Sequence, residues 1–441
     1  MLKNRFIKNT GWLVGGKVFQ MLISLVITSI TARYLGPNNY GLMNYTNAYI
    51  SFFSSLCTLG LNGIIVKELV SNRENEGEIL GTALIMRLIC SMISMISIYL
   101  LLLYINNSSK ELVMVGMLQS ISILFSSFDV INFWYQSNLQ SKYTTIIQSI
   151  AYIVMSIYRV IILILGKSVT WFAFAVSLDT IVIALLLIYS YQNNKNYGQN
   201  LHFSKRWVNE LLKQSYPFII SGIMVTIYGQ MDKIMIGQML DNQQVGLYST
   251  AIAITGLWSF IPIAFIDSAR PIIMEQKNIN QITYIKRLKQ LYAFTIWLSF
   301  FYAVLMTLFS KYLILILYGK DYLGAQSALS ITVWYCAFSY LGSAKNIWIV
   351  CENKMKFELF FTLVGAISNI ILNFFLIPTF GINGAAVATL CTQIITNFLI
   401  MFIFKETREN AKLVLSSFFL KDVINVKETI NKIKGWKLNG K

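Results

Sequence analysis

Apolar stretches of about twenty residues recur along almost the whole chain, each long enough to cross a bilayer as a helix. They predict twelve spans. In the first half these lie near 12–34, 43–66, 80–105, 112–136, 144–165 and 170–191. In the second they lie near 216–239, 246–272, 290–309, 327–352, 358–377 and 384–404. The stretch 310–318 is apolar but too short to span again. A charged segment at 192–214 separates the two sets. The expected organisation is therefore an all-α polytopic membrane protein with a six-helix bundle at 1–191, a linker at 192–214, a second six-helix bundle at 215–404 and a basic tail at 405–441.

Composition agrees with lipid as the main solvent. Only 12% of the 441 residues are charged, against roughly 25% in ordinary soluble proteins, and mean hydropathy is +0.60. A soluble enzyme is excluded. The net charge of +17 would suggest nucleic acid in a soluble protein, but here it is topological. With the N-terminus inside, 25 of the 36 Lys and Arg fall on cytoplasmic segments and only Lys110, Lys167, Lys311 and Lys320 outside. Both termini are thus expected in the cytoplasm, and no nucleic-acid partner is expected. Within the tail, Leu415, Phe419, Val426, Ile430 and Ile433 alternate with Lys, which fits either a basic amphipathic helix on the inner leaflet or a charged tail. The five cysteines are scattered and His202 is the single histidine, so neither a metal centre nor a His-based triad is expected. No removable signal peptide is expected at the N-terminus.

The remaining polar groups lie inside the spans. Seven cations, Lys17, Arg33, Arg87, Arg159, Lys233, Arg270 and Lys345, accompany four carboxylates, Asp129, Asp179, Asp232 and Asp267. A charge at the bilayer centre costs roughly 2.5–3.5 kcal/mol on insertion scales, so such groups need a cavity or a partner. Arg33, Arg87 and Arg270 are near span ends and can also snorkel. Polar stripes at helical spacing appear in the first span (Lys17, Gln20, Ser24, Thr28, Thr31) and the fourth (Gln119, Ser122, Ser126, Asp129, Gln136). The seventh has Thr226, Gln230 and Lys233, and the tenth Cys336, Ser339, Ser343 and Asn346. Each stripe can be glue between helices or the wall of a hydrated lumen. Together with a net excess of three cations, they predict a positive cavity that takes an anion. Trp134, Gln136, Tyr152, Tyr228, Gln230 and Asn346 are candidates for sugar contact, with Asn369 and Asn373 nearby in type.

The halves also share a motif. Leu35/Leu240, Gly41/Gly246, Leu42/Leu247 and Ala48/Ala253 match at an offset of 205, each copy following an odd-numbered span, as expected of parallel repeats with substrate between them. Pro37 and Pro378 sit at outer span ends, whereas Pro262, inside the eighth span, is expected to kink it.

An ordered set of signatures runs through the chain: Gly36-Pro37-Asn38-Asn39-Tyr40-Gly41, Phe133-Trp134-Tyr135-Gln136, Tyr228 to Gly237 followed by Val245-Gly246-Leu247-Tyr248, Leu317 to Tyr322, and Asn373 to Ala386. With these the sequence resembles the polysaccharide repeat-unit flippases (Wzx type) of the multidrug/oligosaccharidyl-lipid/polysaccharide exporter superfamily over about residues 5–405. Ser137 departs from the pattern, where glycine is expected. The resemblance implies a MATE-like fold in a bacterial cytoplasmic (inner) membrane. It implies a function in O-antigen or capsular polysaccharide biosynthesis: translocating undecaprenyl-pyrophosphate-linked oligosaccharide to the outer leaflet by alternating access. Lys17, Arg159, Lys233 and Lys345, with Arg33, Arg87 and Arg270, are then the candidate anion contacts. Asp129, Asp179, Asp232 and Asp267 are candidates for coupling to a H+ or Na+ gradient. No cofactor is expected; membrane lipids and the polysaccharide polymerase machinery are the expected partners. The alternatives are a multidrug or cation antiporter of the same superfamily and a polytopic membrane enzyme acting on lipid-linked sugars. A lipid II flippase is expected to have two further spans.

Overall fold

The computed structural model describes residues 2–105, 110–193 and 200–418, with side chains from Gly15 onward except Lys17, Val18 and Leu22. Among them every regular element is helical: α1 (Leu2–Cys57), α2 (Asn62–Ser71), α3 (Glu76–Ile105), α4 (Lys110–Ser126), α5 (Val130–Ser137), α6 (Ser141–Ile164), α7 (Val169–Asn193) and α8 (Lys205–Met239). After these come α9 (Asn242–Gly256), α10 (Phe260–Ile279), α11 (Gln281–Leu317), α12 (Gln326–Cys351), α13 (Met355–Phe380), α14 (Ile382–Asn397) and α15 (Lys405–Ser417). In lipid the helix is the element that satisfies its own backbone groups, so an apolar chain of this kind has little other choice.

Each of the twelve expected spans overlies helix, but nine helical stretches among the described residues are long and apolar enough to cross a membrane, ten with the bent pair α9 and α10. The shortfall has two physical sources. The first two spans run into one another within α1, which is interrupted only at Gly36 (φ 71°), where the left-handed backbone and Pro37 break the helix. α12 carries Ser327, Ser330, Thr332, Ser339, Ser343, Lys345 and Asn346, too polar for lipid, yet most of one face is buried in protein. The stretch 310–317 continues α11 instead of forming a separate segment. Pro262 bends the eighth span as expected. The helix breaks at Leu257–Ser259, over the carbonyls that a proline at 262 cannot engage, and α9 and α10 meet at 44° with Pro262 in the first turn of α10.

Contacts divide the chain into two compact units, residues 1–246 and 247–441, so α8 groups with the first six spans rather than with the last. The first unit is cored by Leu61, Ile65, Leu69, Ile79, Leu80, Trp134, Tyr135, Trp207 and Leu211. α8 is tied to α1 where Gln238 donates to the Tyr49 hydroxyl (3.0 Å), which pairs with Tyr45 (3.0 Å). Ahead of α8, residues 202–204 lie on the start of α3: the His202 amide donates to Gly77 O (3.1 Å) and the Ser204 amide to Thr82 Oγ1 (2.9 Å). A Cβ at Gly81 would stand 2.5 Å from His202 O, so this approach requires glycine.

The motif repeated at an offset of 205 has a structural counterpart within residues 1–246. A Cβ on Gly41 would meet Asn242 O at 1.6 Å, and one on Gly246 would meet Pro37 O at 2.0 Å. Pro37 and Asn242 are themselves 205 apart, as are Gly41 and Gly246. The two copies therefore cross reciprocally, each glycine sitting where the other copy's carbonyl approaches.

The second unit is cored by Ile266, Tyr284, Leu288, Tyr292, Tyr302, Leu341, Trp348, Phe361 and Met401. α15 packs on it: Asn410, Ala411 and Val414 are buried, and Tyr292 donates to Asn410 Oδ1 (2.9 Å). The buried face thus excludes Leu415, which is exposed; residues 419–441, including the other apolar tail positions, lie outside the described residues.

Candidate functional site

The ionisable groups of the first unit fall into loosely opposed sets. Arg87 projects from α3 and is 3% exposed, yet neither its Nε nor its Nη1 meets a protein acceptor. Its electrostatic neighbours are Asp129, Cys57 and Cys90. Asp129 ends the short turn Ser127–Asp129 that interrupts the α-helical run between α4 and α5. Around them Ser91 joins Ser127 (3.0 Å) and Cys57 donates to Ser94 (3.1 Å). That turn is a 3-10 helix, so the run tightens there and its backbone stays helical. Arg159 on α6 and Asp179 on α7 form a second set in electrostatic range; among the described residues Asp179 Oδ1 is buried with no hydrogen-bond donor. On α8, Asp232 is buried and its neighbour Lys233 is half-buried, and no hydrogen bond engages the Lys233 ammonium among the described residues. Gln230, one turn earlier, leaves its buried Oε1 without a donor.

Other positions are differently placed. Arg33 is exposed, and Arg270 forms an exposed i,i+3 pair with Asp267 at 3.7 Å on α10. The side chain of Lys17 lies outside the described residues. Lys345 is 0% exposed and stands apart from the other cations, ion-paired to Glu358 at 3.4 Å within residues 247–441.

Several groups read as lumen-facing are glue between helices. In the fourth-span stripe, Gln119 is buried, accepts from Thr46 (2.7 Å), and its backbone carbonyl accepts from Ser177 (3.2 Å). Trp134 is fully buried, edge-on to Tyr135 and Tyr191, with its N–H on Glu76 Oε2 (2.9 Å), so no ring face is left for a sugar. Asn369 and Asn373 are buried and bonded to each other (3.1 Å). Gln136 is exposed, whereas Tyr152, Tyr228 and Asn346 are half-buried. An additional cleft of about 320 Å³, lined by Tyr143, Ile146, Ile147, Leu186, Tyr189, Ser190 and Asn193, opens between the N-terminal end of α6 and the C-terminal end of α7. Glu76 and Glu358 are missing from the candidates because both sit near span ends, where a carboxylate passes for a solvated one. The signal available was the cation itself: a Lys well inside a span needs a counter-charge from somewhere.

The family description "Polysaccharide biosynthesis protein" matches residues 6–277, and the MatE family matches residues 217–375. The chain is 19% identical over 413 residues to the capsular polysaccharide biosynthesis protein CapF of Staphylococcus aureus, covering 91% of this chain and 99% of that protein. It is 20% identical to the probable flippase AglR of Haloferax volcanii, covering 87% of this chain and 80% of that one. Among solved structures, the lipid II flippase MurJ in an inward closed conformation superposes with a TM-score of 0.70 at 18% identity, covering 94% of this chain and 92% of that one.

Proposed function

The chain belongs to the polysaccharide biosynthesis protein family, and from that membership we propose that it is a multi-pass membrane flippase for lipid-linked oligosaccharides. It turns polyprenyl-pyrophosphate-linked repeat units from the cytoplasmic to the outer leaflet of a bacterial inner membrane, for O-antigen or capsule assembly, and performs no bond chemistry. The likeness to a capsular polysaccharide biosynthesis protein, CapF, to the probable flippase AglR and to the lipid II flippase MurJ supports this reading.

The observation that carries the mechanism is the half-buried Lys233, whose ammonium makes no hydrogen bond among the described residues and has Asp232 as its electrostatic neighbour, together with the loosely opposed Arg159. A pyrophosphate must cross hydrocarbon with its charge shielded, and a membrane cation not already satisfied by the protein is available to do so. Lys17, Arg33 and Arg87 are secondary anion contacts in this scheme. Arg270, held by Asp267, and Lys345, sealed from any ligand, are poorly placed for it. Tyr152, Tyr228, Gln230 and Asn346 remain the amphipathic groups suited to sugar. Asp129, Asp179 and Asp232 are the carboxylates available for H+ or Na+ coupling, with the two six-span repeats alternating in access.

A strain lacking the protein accumulates lipid-linked repeat units on the cytoplasmic face. Restoring it with Lys233→Gln or Arg159→Gln lowers surface polymer at unchanged protein level. Wild-type polymer from both variants would overturn the assignment. The antiporter reading, which the MatE match keeps in view, asks for net acidic groups at depth rather than an excess of cations.

A further inference from the structure

Among the described residues of 247–441 Lys345 is the fully buried cation, and the groups placed around its ammonium come from two other helices. α14 stops at Asn397 because Phe398 leaves helical geometry (φ −133°, ψ −63°), so the carbonyls of its last turn lose their intrahelical donors. Lys345 Nζ donates to one of these, Thr396 O, at 3.4 Å, and to Asn397 Oδ1 at 3.3 Å. The Asn397 amide is oriented for this: its Nδ2 donates to Gln393 Oε1 at 2.7 Å, leaving Oδ1 toward the ammonium. From α13, Glu358 Oε2 lies 3.4 Å away and the Phe361 ring centroid 4.9 Å away, one turn along the same face.

Two glycines make the room. A Cβ on Gly342, one turn before Lys345, would lie 2.3 Å from Asn397 Oδ1, and one on Gly365 would lie 2.7 Å from Thr396 Oγ1. The arrangement supplies a carboxylate oxygen, an amide oxygen, a peptide oxygen and an aromatic face, with a single negative charge among them. That is the chemistry of a site for a small monovalent cation. All three oxygens sit beyond the usual 2.9–3.0 Å of an N–H···O bond, so the cage is not closed tightly on one geometry.

We propose that Glu358, Thr396 O, Asn397 Oδ1 and Phe361 form a monovalent-cation site, and that Lys345 fills it permanently as a tethered ammonium. The occupant locks α12, α13 and α14 together without drawing on any free ion, which leaves coupling to the acidic groups of residues 1–246. The cage itself stands on this geometry; its consequence for coupling rests on the flippase reading.

Vacating the cage tests it. Purified full-length Lys345→Ala in nanodiscs is unfolded thermally in ammonium, methylammonium or choline chloride at equal ionic strength. In choline it melts about 5 °C or more below the wild type. Ammonium and methylammonium restore at least half of that loss while the wild type does not move. No restoration, or equal restoration by choline, overturns the proposal. So does a wild-type melting temperature with polymer export lost, which would make Lys345 a substrate contact. Should Lys345→Ala not accumulate, the neutral pair Lys345→Met with Glu358→Gln replaces it. Accumulation at wild-type level with no response to ammonium supports the site; a deficit equal to that of Lys345→Ala overturns it.

Discussion

The two compact units treat membrane-buried charge in opposite ways. Among the described residues of 247–441 the buried cation Lys345 has a counter-charge, two oxygen acceptors and a ring around it, while Glu358 Oε2 itself lacks a hydrogen-bond donor. Among the described residues of 1–246, Arg87 is almost as deeply buried but leaves two guanidinium nitrogens without acceptors, Asp179 leaves an oxygen without a donor, and Lys233 has Asp232 as an electrostatic neighbour but no hydrogen bond. A satisfied buried charge is part of the scaffold. An unsatisfied one is a standing cost of a few kcal/mol, retained when another state or a ligand completes it.

The sharpest test of this contrast is Glu358→Gln, which strands the Lys345 ammonium; it should lower unfolding stability by about 3 kcal/mol or more in thermal melts. Arg87→Met should cost less, because Nε and Nη1 have no acceptors to lose, although it leaves Asp129 without its electrostatic neighbour. Equal losses for the two variants would erase the distinction between the units. Next in size, Lys233→Gln should leave melting within about 1 kcal/mol of the wild type while surface polymer falls about tenfold, the effect of losing a phosphate contact of roughly 1.4 kcal/mol. Trp134→Phe should reverse that pattern. It leaves Glu76 without the indole donor and costs about 1–3 kcal/mol of stability, while export per folded molecule stays unchanged. At the small end, neutralising the exposed Arg270–Asp267 pair should change stability by no more than about 0.5 kcal/mol and export not at all.

The comparison also marks where reading polar stripes reaches its limit. Gln119 and Lys233 both recur at helical spacing in apolar spans, and nothing local separates them. Gln119 meets Thr46, seventy-three residues away, and becomes glue; Lys233 meets no hydrogen-bond acceptor. The same holds for Trp134, whose place in a signature motif carries no information about Glu76 on another helix. By contrast, Gly36-Pro37 announced the break in α1, because a backbone demand is written at the residue that meets it; the matched Gly41 and Gly246 announced a repeat, and only the structure showed that the two copies cross.

What the sequence determined alone is what depends on each residue's own transfer between water and lipid: helices, their approximate positions, and the family to which their turn signatures belong. Which charges are spent on structure was decided only by the tertiary arrangement. Compensation of a charge in a low-dielectric interior depends on atoms a few ångströms away, and in this chain those atoms come from helices distant along the sequence.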